Sequence, residues 1–271
     1  MLISVIVSTY NRPTALRNVL NGLACQIDKN FEVIIADDGS EEPTRQLVQS
    51  FQNSFPVPLH HAWQPDTGFR LSASRNNAVR LSHGKYFIFL DGDCIPMPTF
   101  IANHRKLAEE GWVVAGNRAL ISPELTRRLE AQNHTNPMKP YGFFQCLKWA
   151  CHHDVNRVSP ILALPLGLLR KISPQKWQRL RGCNIGVWRS DFMTVNGFDE
   201  DFMGWGFEDS DFAVRLINSG IKIKLGTFAT GVLHMYHRET SNKKEGPSWE
   251  TLQQRILSKD SYAPNGFKKG N

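Results

Sequence analysis

Three short apolar runs punctuate the N-terminal half of the chain: residues 2–8 (LISVIVS), 31–36 (FEVIIA) and 86–90 (YFIFL). They are rich in β-branched or aromatic residues and apolar at successive positions, which predicts strands buried on both faces. Between them the period changes. Leu16, Val19, Leu20 and Leu23 recur at helical spacing behind Pro13, which suits a helix start, and Thr14, a capping or first-turn residue. Leu47, Val48 and Phe51 mark a second helix over 43–51. Ala78, Val79 and Leu81 mark a third, entered through 70–77 with Ser72 or Ser74 as cap and ended by Gly84. His60, His61 and Trp63 read as a short edge strand. Strand, turn and helix in alternation predict an α/β fold with right-handed crossovers between parallel strands.

Beyond Pro98 the pattern loosens. A helix over 100–110 and a strand over 112–117 (WVVAGN) lead into an irregular, basic and aromatic stretch, 118–181, containing Trp149, His152 and His153. Its apolar patch, 161–169, is too short for the roughly 20 residues of a membrane span. Arg170, Lys171, Lys176, Arg179 and Arg181 follow it. The patch is either a helix packed on the core with a solvated basic face or a segment lying on an anionic membrane surface. A glycine turn and short strand at 181–187 (RGCNIGV) would direct Asn184 at a ligand, and a last strand is expected at 228–233. The tail, 241–271, should hold a helix at 249–257 followed by disorder, without catalytic residues.

The chemistry gathers where the strands stop. Residues 86–90 end at Asp91-Gly92-Asp93, and Pro96 and Pro98 prevent a simple continuation. Two carboxylates one residue apart at the carboxyl edge of a sheet repel unless a cation lies between them, and a hard divalent ion bound to a diphosphate meets that need. Taken alone, the motif is equally an Asp-rich turn. Thr9-Tyr10-Asn11 and Asp37-Asp38-Gly39-Ser40 offer hydrogen bonds and a stacking face to a nucleotide, or ordinary turn chemistry. Arg75 and Asn76, near a helix start, can reach a phosphate or sugar. Glu208, Asp209 and Asp211 open a further helix, where the dipole favours acids. Gly204-Trp205-Gly206-Phe207 before them makes an aromatic platform flanked by glycines, suited to a sugar's apolar face. His234 and His237 can add nitrogen ligands to a carboxylate-bound metal.

Composition narrows the setting. The 271 residues, 41% hydrophobic and 21% charged, suit a globular enzyme with a substantial core. A net charge of +7 and a pI near 9.2 point to anionic partners. Five scattered cysteines without a C-x-x-C pair argue against a zinc or disulfide framework and for a reducing compartment. Met1 leads straight into a strand-like run with no signal-peptide pattern, so a cytoplasmic protein is expected, with peripheral contact at the inner membrane face as an option.

In combination and order, SVIVSTYNRP, DDGS, SRNNAV and FIFLDGDC resemble the family-2 type inverting glycosyltransferases of the GT-A fold. GFDEDFMGWGFEDSDFAVRL and HMYHRE resemble the C-terminal half of β-1,4-galactosyltransferases and chondroitin-type polymerases. The resemblance implies a mixed, mainly parallel sheet flanked by helices. It also implies a donor-binding half (1–117), an acceptor-binding half (118–240) with a basic, apolar insertion (118–180), and a tail (241–271). Thr9, Asn11 and Arg12, with Asp37 or Asp38, would hold the uridine of a UDP-sugar. Arg75 would meet the donor phosphates or sugar, and Asp91 the ribose or metal shell. Asp93 and His237 would bind the metal, with His234 a second histidine candidate standing where galactosyltransferases place methionine. Trp205 and Glu208 would frame donor and acceptor sugars, and Asp209 would be the general base. Phe207 departs from the glycine common in those relatives. Mixed nitrogen and oxygen ligation favours Mn²⁺ over Mg²⁺. The implied acceptor is a glycan or lipid-linked glycan of bacterial lipopolysaccharide, capsule or exopolysaccharide synthesis. A nucleotidyltransferase of related fold would not need the tryptophan–acid cluster. A nucleic-acid-binding protein would rest on charge alone, since no recognised binding module occurs, and no nucleic-acid partner is expected.

Overall fold

The computed structural model describes residues 1–131, 143–238 and 246–269. Residues 132–142, 239–245 and 270–271, which include Glu239 of HMYHRE and parts of the insertion and tail, lie outside the described residues. The N-terminal half runs β1 (Ile3–Thr9), α1 (Pro13–Ala24), β2 (Phe31–Asp37), α2 (Glu42–Gln52), β3 (Leu59–Trp63), α3 (Leu71–Arg80) and β4 (Tyr86–Asp91). It continues through β5 (Cys94–Pro96), α4 (Phe100–Leu107), β6 (Trp112–Ala115), β7 (Asn117–Leu120), α5 (Pro123–Ala131) and α6 (Phe143–Cys151). Two 3-10 turns follow, then β8 (Asn184–Trp188), α7 (Arg189–Thr194), α8 (Glu208–Asn218), β9 (Lys222–Leu225), β10 (Gly231–His234) and α9 (Pro247–Ser258).

The three apolar runs pair as their composition requires. β1 lies between β2 and β4 and parallel to both, with Thr9 level with Asp37 and Ser8 level with Asp91. β3 is the parallel edge strand beyond β2. β8 enters antiparallel against β4 and β6, and β9 runs parallel to β6, so the seven-stranded sheet is mixed and mainly parallel. Alternate side chains feed two cores. Ile3, Val5, Val7, Val33, Ile88 and Leu90 meet the apolar faces of α1 and α2. Ile6, Ile34, Phe87 and Phe89 meet Ala78, Val79, Phe192, Phe198 and Phe212 on the other side. Phe89 sits edge-on to Phe198 at 4.9 Å, and Phe198 stacks on Phe212 at 4.5 Å. Each buried ring contributes about 2–3 kcal/mol. This cluster seats the N-terminal part of α8 against the sheet.

Several expectations change. Neither Ser72 nor Ser74 caps α3: Arg70 occupies the cap position without a side-chain bond, and both serines are buried inside the helix. That helix ends at Arg80, whereas Gly84 donates its N–H to Ser4 Oγ at 2.8 Å and ties β4 to β1. Helix α4 stops at Leu107. The apolar run 112–117 breaks at Gly116, where a Cβ would lie 2.0 Å from the Asn184 side chain. After that break β7 leaves the main sheet and joins a second one, ordered β5-β10-β7. Among the described residues, the chain beyond α9 is packed in place rather than disordered. Ala263 is buried and donates its N–H to Val195 O at 3.1 Å, and Phe267 does the same to Asn196 O at 2.8 Å.

Candidate active site

The aligned carboxyl ends of β1, β2 and β4 deliver Thr9, Asp37 and Asp91 to one edge of the sheet, the edge at which open α/β sheets take ligands. The turn after β4 hugs β1: Gly92 donates its N–H to Ser8 O at 2.7 Å. A Cβ at Gly92 would lie 2.6 Å from that same oxygen, so the position requires glycine. The turn sends the chain into β5, whose antiparallel pairing with β10 sets Cys94 opposite His234. One carboxylate therefore meets three cationic or basic groups. Asp93 lies 2.7 Å from Arg12 Nη1, 3.4 Å from His234 Nε2 and 3.6 Å from His237 Nε2. Donor atoms of Asp93, Cys94 and His234 all fall within 4.8 Å of one another, and with His237 beside them they suit a divalent cation held by oxygen and nitrogen.

Across the cleft stands the start of α8. Arg75, wholly buried on α3, bridges the two sides. Its Nη2 is 3.1 Å from Asp91 Oδ1, its Nη1 is 3.6 Å from Glu208 Oε1, and its Nε donates to Ser8 Oγ at 3.1 Å. Asp209 accepts the Gly182 N–H at 2.8 Å and the Ser210 hydroxyl at 3.2 Å. Trp205 stands 40% exposed at the mouth. Phe207 caps α8 in the left-handed region (φ 71°) and packs its ring 5.1 Å from Trp249 of α9. For a non-glycine residue this conformation costs about 1–3 kcal/mol. That cost supplies a physical reason why glycine suits the position in other chains.

Electrostatics separate the acids. Burial, and then the charge of Asp209, push the Glu208 carboxyl up to about 7 despite Arg75. Burial also raises Asp91, against the pull of Arg75. Burial acts the same way on Asp93, but the His234 hydrogen bond and the charges of His234, Arg12 and His237 outweigh it, and its carboxyl stays below the ordinary value. The reciprocal bond lifts His234 above its usual value although burial alone would lower it.

One cleft is lined by Arg75, Asp91, Trp205, Glu208, Asp209, His234 and His237, seven of the residues singled out in the sequence, and Asp93 adjoins it. The β1 and β2 ends sit behind this lining. Asp37 is bonded to His61 Nε2 at 2.8 Å and to the Ser40 N–H, and Asp38 to Gln64 and the Arg70 N–H. Asn11 accepts the Glu41 N–H at 2.8 Å, Thr9 is buried, and Arg12 reaches Asp93. Asn184, expected to face a ligand, is instead fully buried. Its amide donates to Thr230 O and Asn117 O, and its oxygen meets His104. Asp211 also leaves the cleft, to pair with Arg215 and Arg255. Arg118 lines the cleft without having been singled out, as do Arg181 and Cys183, which were read only as parts of a basic cluster and a glycine turn. Arg118 owes its place to the β7–β10 pairing, a nonlocal contact with no signal in the residues around it.

Against this geometry, residues 4–162 match the family described as glycosyl transferase family 2. The chain belongs to that family. Residues 171–238 of this family-2 chain also match the N-terminal domain of galactosyltransferase, the segment that carries α8 and the histidines. A validoxylamine A glucosyltransferase of Streptomyces hygroscopicus subsp. jinggangensis is 30% identical over 85% of the chain and 55% of the relative. The chondroitin synthase of Escherichia coli is 27% identical over 89% of the chain and 35% of the relative. The family-2 chain thus spans about half, or less, of the length of these curated relatives. Among solved structures, S. aureus TarS in complex with UDP superposes with a TM-score of 0.60 at 17% identity, over 96% of this chain and 65% of that one. The shared architecture is the GT-A fold.

Proposed function

We propose that the cleft transfers a sugar from a UDP-sugar to a hydroxyl of a glycan or lipid-linked acceptor, with inversion at the anomeric carbon. The observation that carries this reading is that the Asp93–His234–His237 cluster and the Glu208–Asp209 pair lie at one cleft, linked through Asp91 and buried Arg75. A cation-binding group on one wall and a carboxylate pair on the other are what a single in-line displacement on a nucleotide sugar requires. The TarS complex with UDP and the relatives named as glucosyltransferase and chondroitin synthase support donor and acceptor class. Synthesis of a bacterial lipopolysaccharide, capsule or exopolysaccharide is the setting we infer.

Asp209 takes the proton of the attacking acceptor hydroxyl as the new C1–O bond forms, a task worth about 10²–10⁴-fold in rate. The Gly182 N–H and the Ser210 hydroxyl hold its carboxylate in place. Glu208, pushed up to about 7 beside it, binds the acceptor sugar's hydroxyls with Trp205 under the ring. Arg75 orients the donor phosphates or sugar, and Asp91 the ribose. Thr9, Asn11, Arg12 and the Asp37–Asp38 turn form the uridine side. Asp93, His237 and His234 would hold Mn²⁺, which when bound supplies Lewis-acid stabilisation of the departing diphosphate. Arg12, 2.7 Å from Asp93, would share that carboxylate with a bound ion.

Calorimetric titration of UDP with and without Mn²⁺, on wild type and Asp93→Ala, tests the reading. Manganese-dependent UDP binding that disappears in the variant is expected. Wild-type protein that ignores UDP under both conditions would overturn the donor assignment.

A further inference from the structure

Just ahead of the start of β10, whose other end carries His234 into the cleft, lies a second feature that the transfer reaction does not use. Residues 164–172 fold into a 3-10 turn over Gly167–Lys171, and four large apolar side chains along this segment face solvent. Leu168 is 82% exposed, Leu169 60%, Ile172 54% and Leu164 46%. Scattered single apolar residues on a surface need no explanation, but four within nine positions do.

The turn is held in this posture from below. Arg170, between the two leucines and Ile172 in sequence, points inward and is buried. Its guanidinium donates to Leu225 O at 3.0 Å, Thr227 O at 2.6 Å and Leu164 O at 2.8 Å. These bonds tie the turn to the end of β9 and the segment after it and close its incoming arm at Leu164, so the backbone that presents the leucines is held in place. Beside the turn opens a groove of about 630 Å³ whose polar wall is basic. Lys171 and Lys224 share the single carboxylate of Glu109, at 2.7 and 2.8 Å, and Lys106 lines the same groove exposed. Lys176 adds a further exposed cation just past the apolar tip. Fixed exposed leucines ringed by unbalanced positive charge are the chemistry of a surface that enters the headgroup region of an anionic bilayer.

We propose that residues 164–176, with Lys106, form a docking surface for anionic phospholipid membranes. The leucines insert at the acyl boundary, and the lysines contact headgroup phosphates. No helix among the described residues is long and apolar enough to cross a membrane, so the contact is made from one side. β10 begins two residues past Ala229 of this groove and ends at His234 of the cleft, roughly 10 Å along at about 3.3 Å per residue, so the cleft would lie near the membrane. The proposal does not depend on the donor reading.

Flotation of the full chain with vesicles of phosphatidylglycerol and phosphatidylethanolamine, against vesicles of phosphatidylcholine alone, tests it. Wild type is expected to float with the anionic vesicles at least tenfold better than with the neutral ones. Leu168→Ser/Leu169→Ser should lose at least tenfold of that binding, and Lys106→Gln/Lys176→Gln should lose several-fold and make the remainder insensitive to salt. Far-ultraviolet circular dichroism and UDP titration on both variants should match wild type. Wild type that stays with the pellet would overturn the proposal. So would flotation unaffected by the leucine pair, which would mean adventitious charge, or a leucine variant that turns a dimer into a monomer without any vesicle binding by wild type, which would make the face a self-association surface.

Discussion

Two acidic clusters in this chain look alike in sequence and differ in what surrounds them. At the end of β4, Asp91 and Asp93 are neutralised by side chains from the residue before α1, from α3, and from the end of β10 and the segment after it, and both stay at or beside the cleft. At the start of α8 the three acids part company. Asp211, 0% exposed, turns inward to Arg215 at 2.7 Å and Arg255 at 2.9 Å, and Arg255 continues to Asp199 at 2.6 Å. Glu208 is half-buried beside Asp209 and pushed up to about 7. Asp209 faces the cleft and accepts the N–H of Gly182, a residue from a different segment. Equal residue types thus take three roles within four positions, and the partner decides the role in each case.

The largest expected effect is on chemistry. Asp209→Asn should keep UDP binding and the fold while turnover falls by about 10²–10⁴-fold. Single-turnover transfer from a UDP-sugar measures it, and near-normal turnover would return Asp209 to the class of helix-start acids. Next comes stability. Asp211→Ala leaves Arg215 and Arg255 with only Asp199 between them and should cost about 3–5 kcal/mol in denaturant unfolding. A loss under about 1 kcal/mol would mean that the inward acid is no more structural than its neighbours.

The smallest effect separates Glu208 from both. Its folded-state carboxyl sits near 7, above the ordinary 4.5, so the unfolded chain gives up its proton first as pH rises. Stability that is fully present below about 4.5 is therefore lost between about 4.5 and 7, on the order of 3 kcal/mol. Glu208→Gln should remove this slope, making the variant more stable than wild type at pH 8 relative to pH 5. Parallel pH profiles for the two proteins would show that Glu208 titrates like a solvated acid.

The strands β1, β2 and β4 were legible because both their faces are buried, which writes an uninterrupted apolar run into the residues themselves. The Asp91–Asp93 motif was legible because it falls at the end of such a strand, and Glu208–Asp209 because it opens a helix marked by its apolar spacing. Features that depend on distant partners left no such trace. Gly116 divides what reads as one strand because the Asn184 side chain fills the space beside it. β7 pairs with β10 across more than a hundred residues, and that pairing alone brings Arg118 into the cleft. Asn184 resembles a ligand contact until Thr230, Asn117 and His104 occupy it. The last stretch, polar enough to suggest disorder, is ordered by Asn196, whose amide bonds Ala263 O and Lys268 O.

The arginine of α9 also sets an order of assembly. Asp211 leaves the ribosome 44 residues ahead of Arg255. Through that interval the nascent chain carries a buried-type carboxylate pair, Asp199 and Asp211, with Arg215 as its only native counter-charge. The α8 start, and with it the carboxylate wall of the cleft, can reach its final setting only after α9 has been made and has docked. A ribosome paused after β10 but before Arg255 would expose a protein whose ten strands are made but whose acid pair still lacks its α9 arginine.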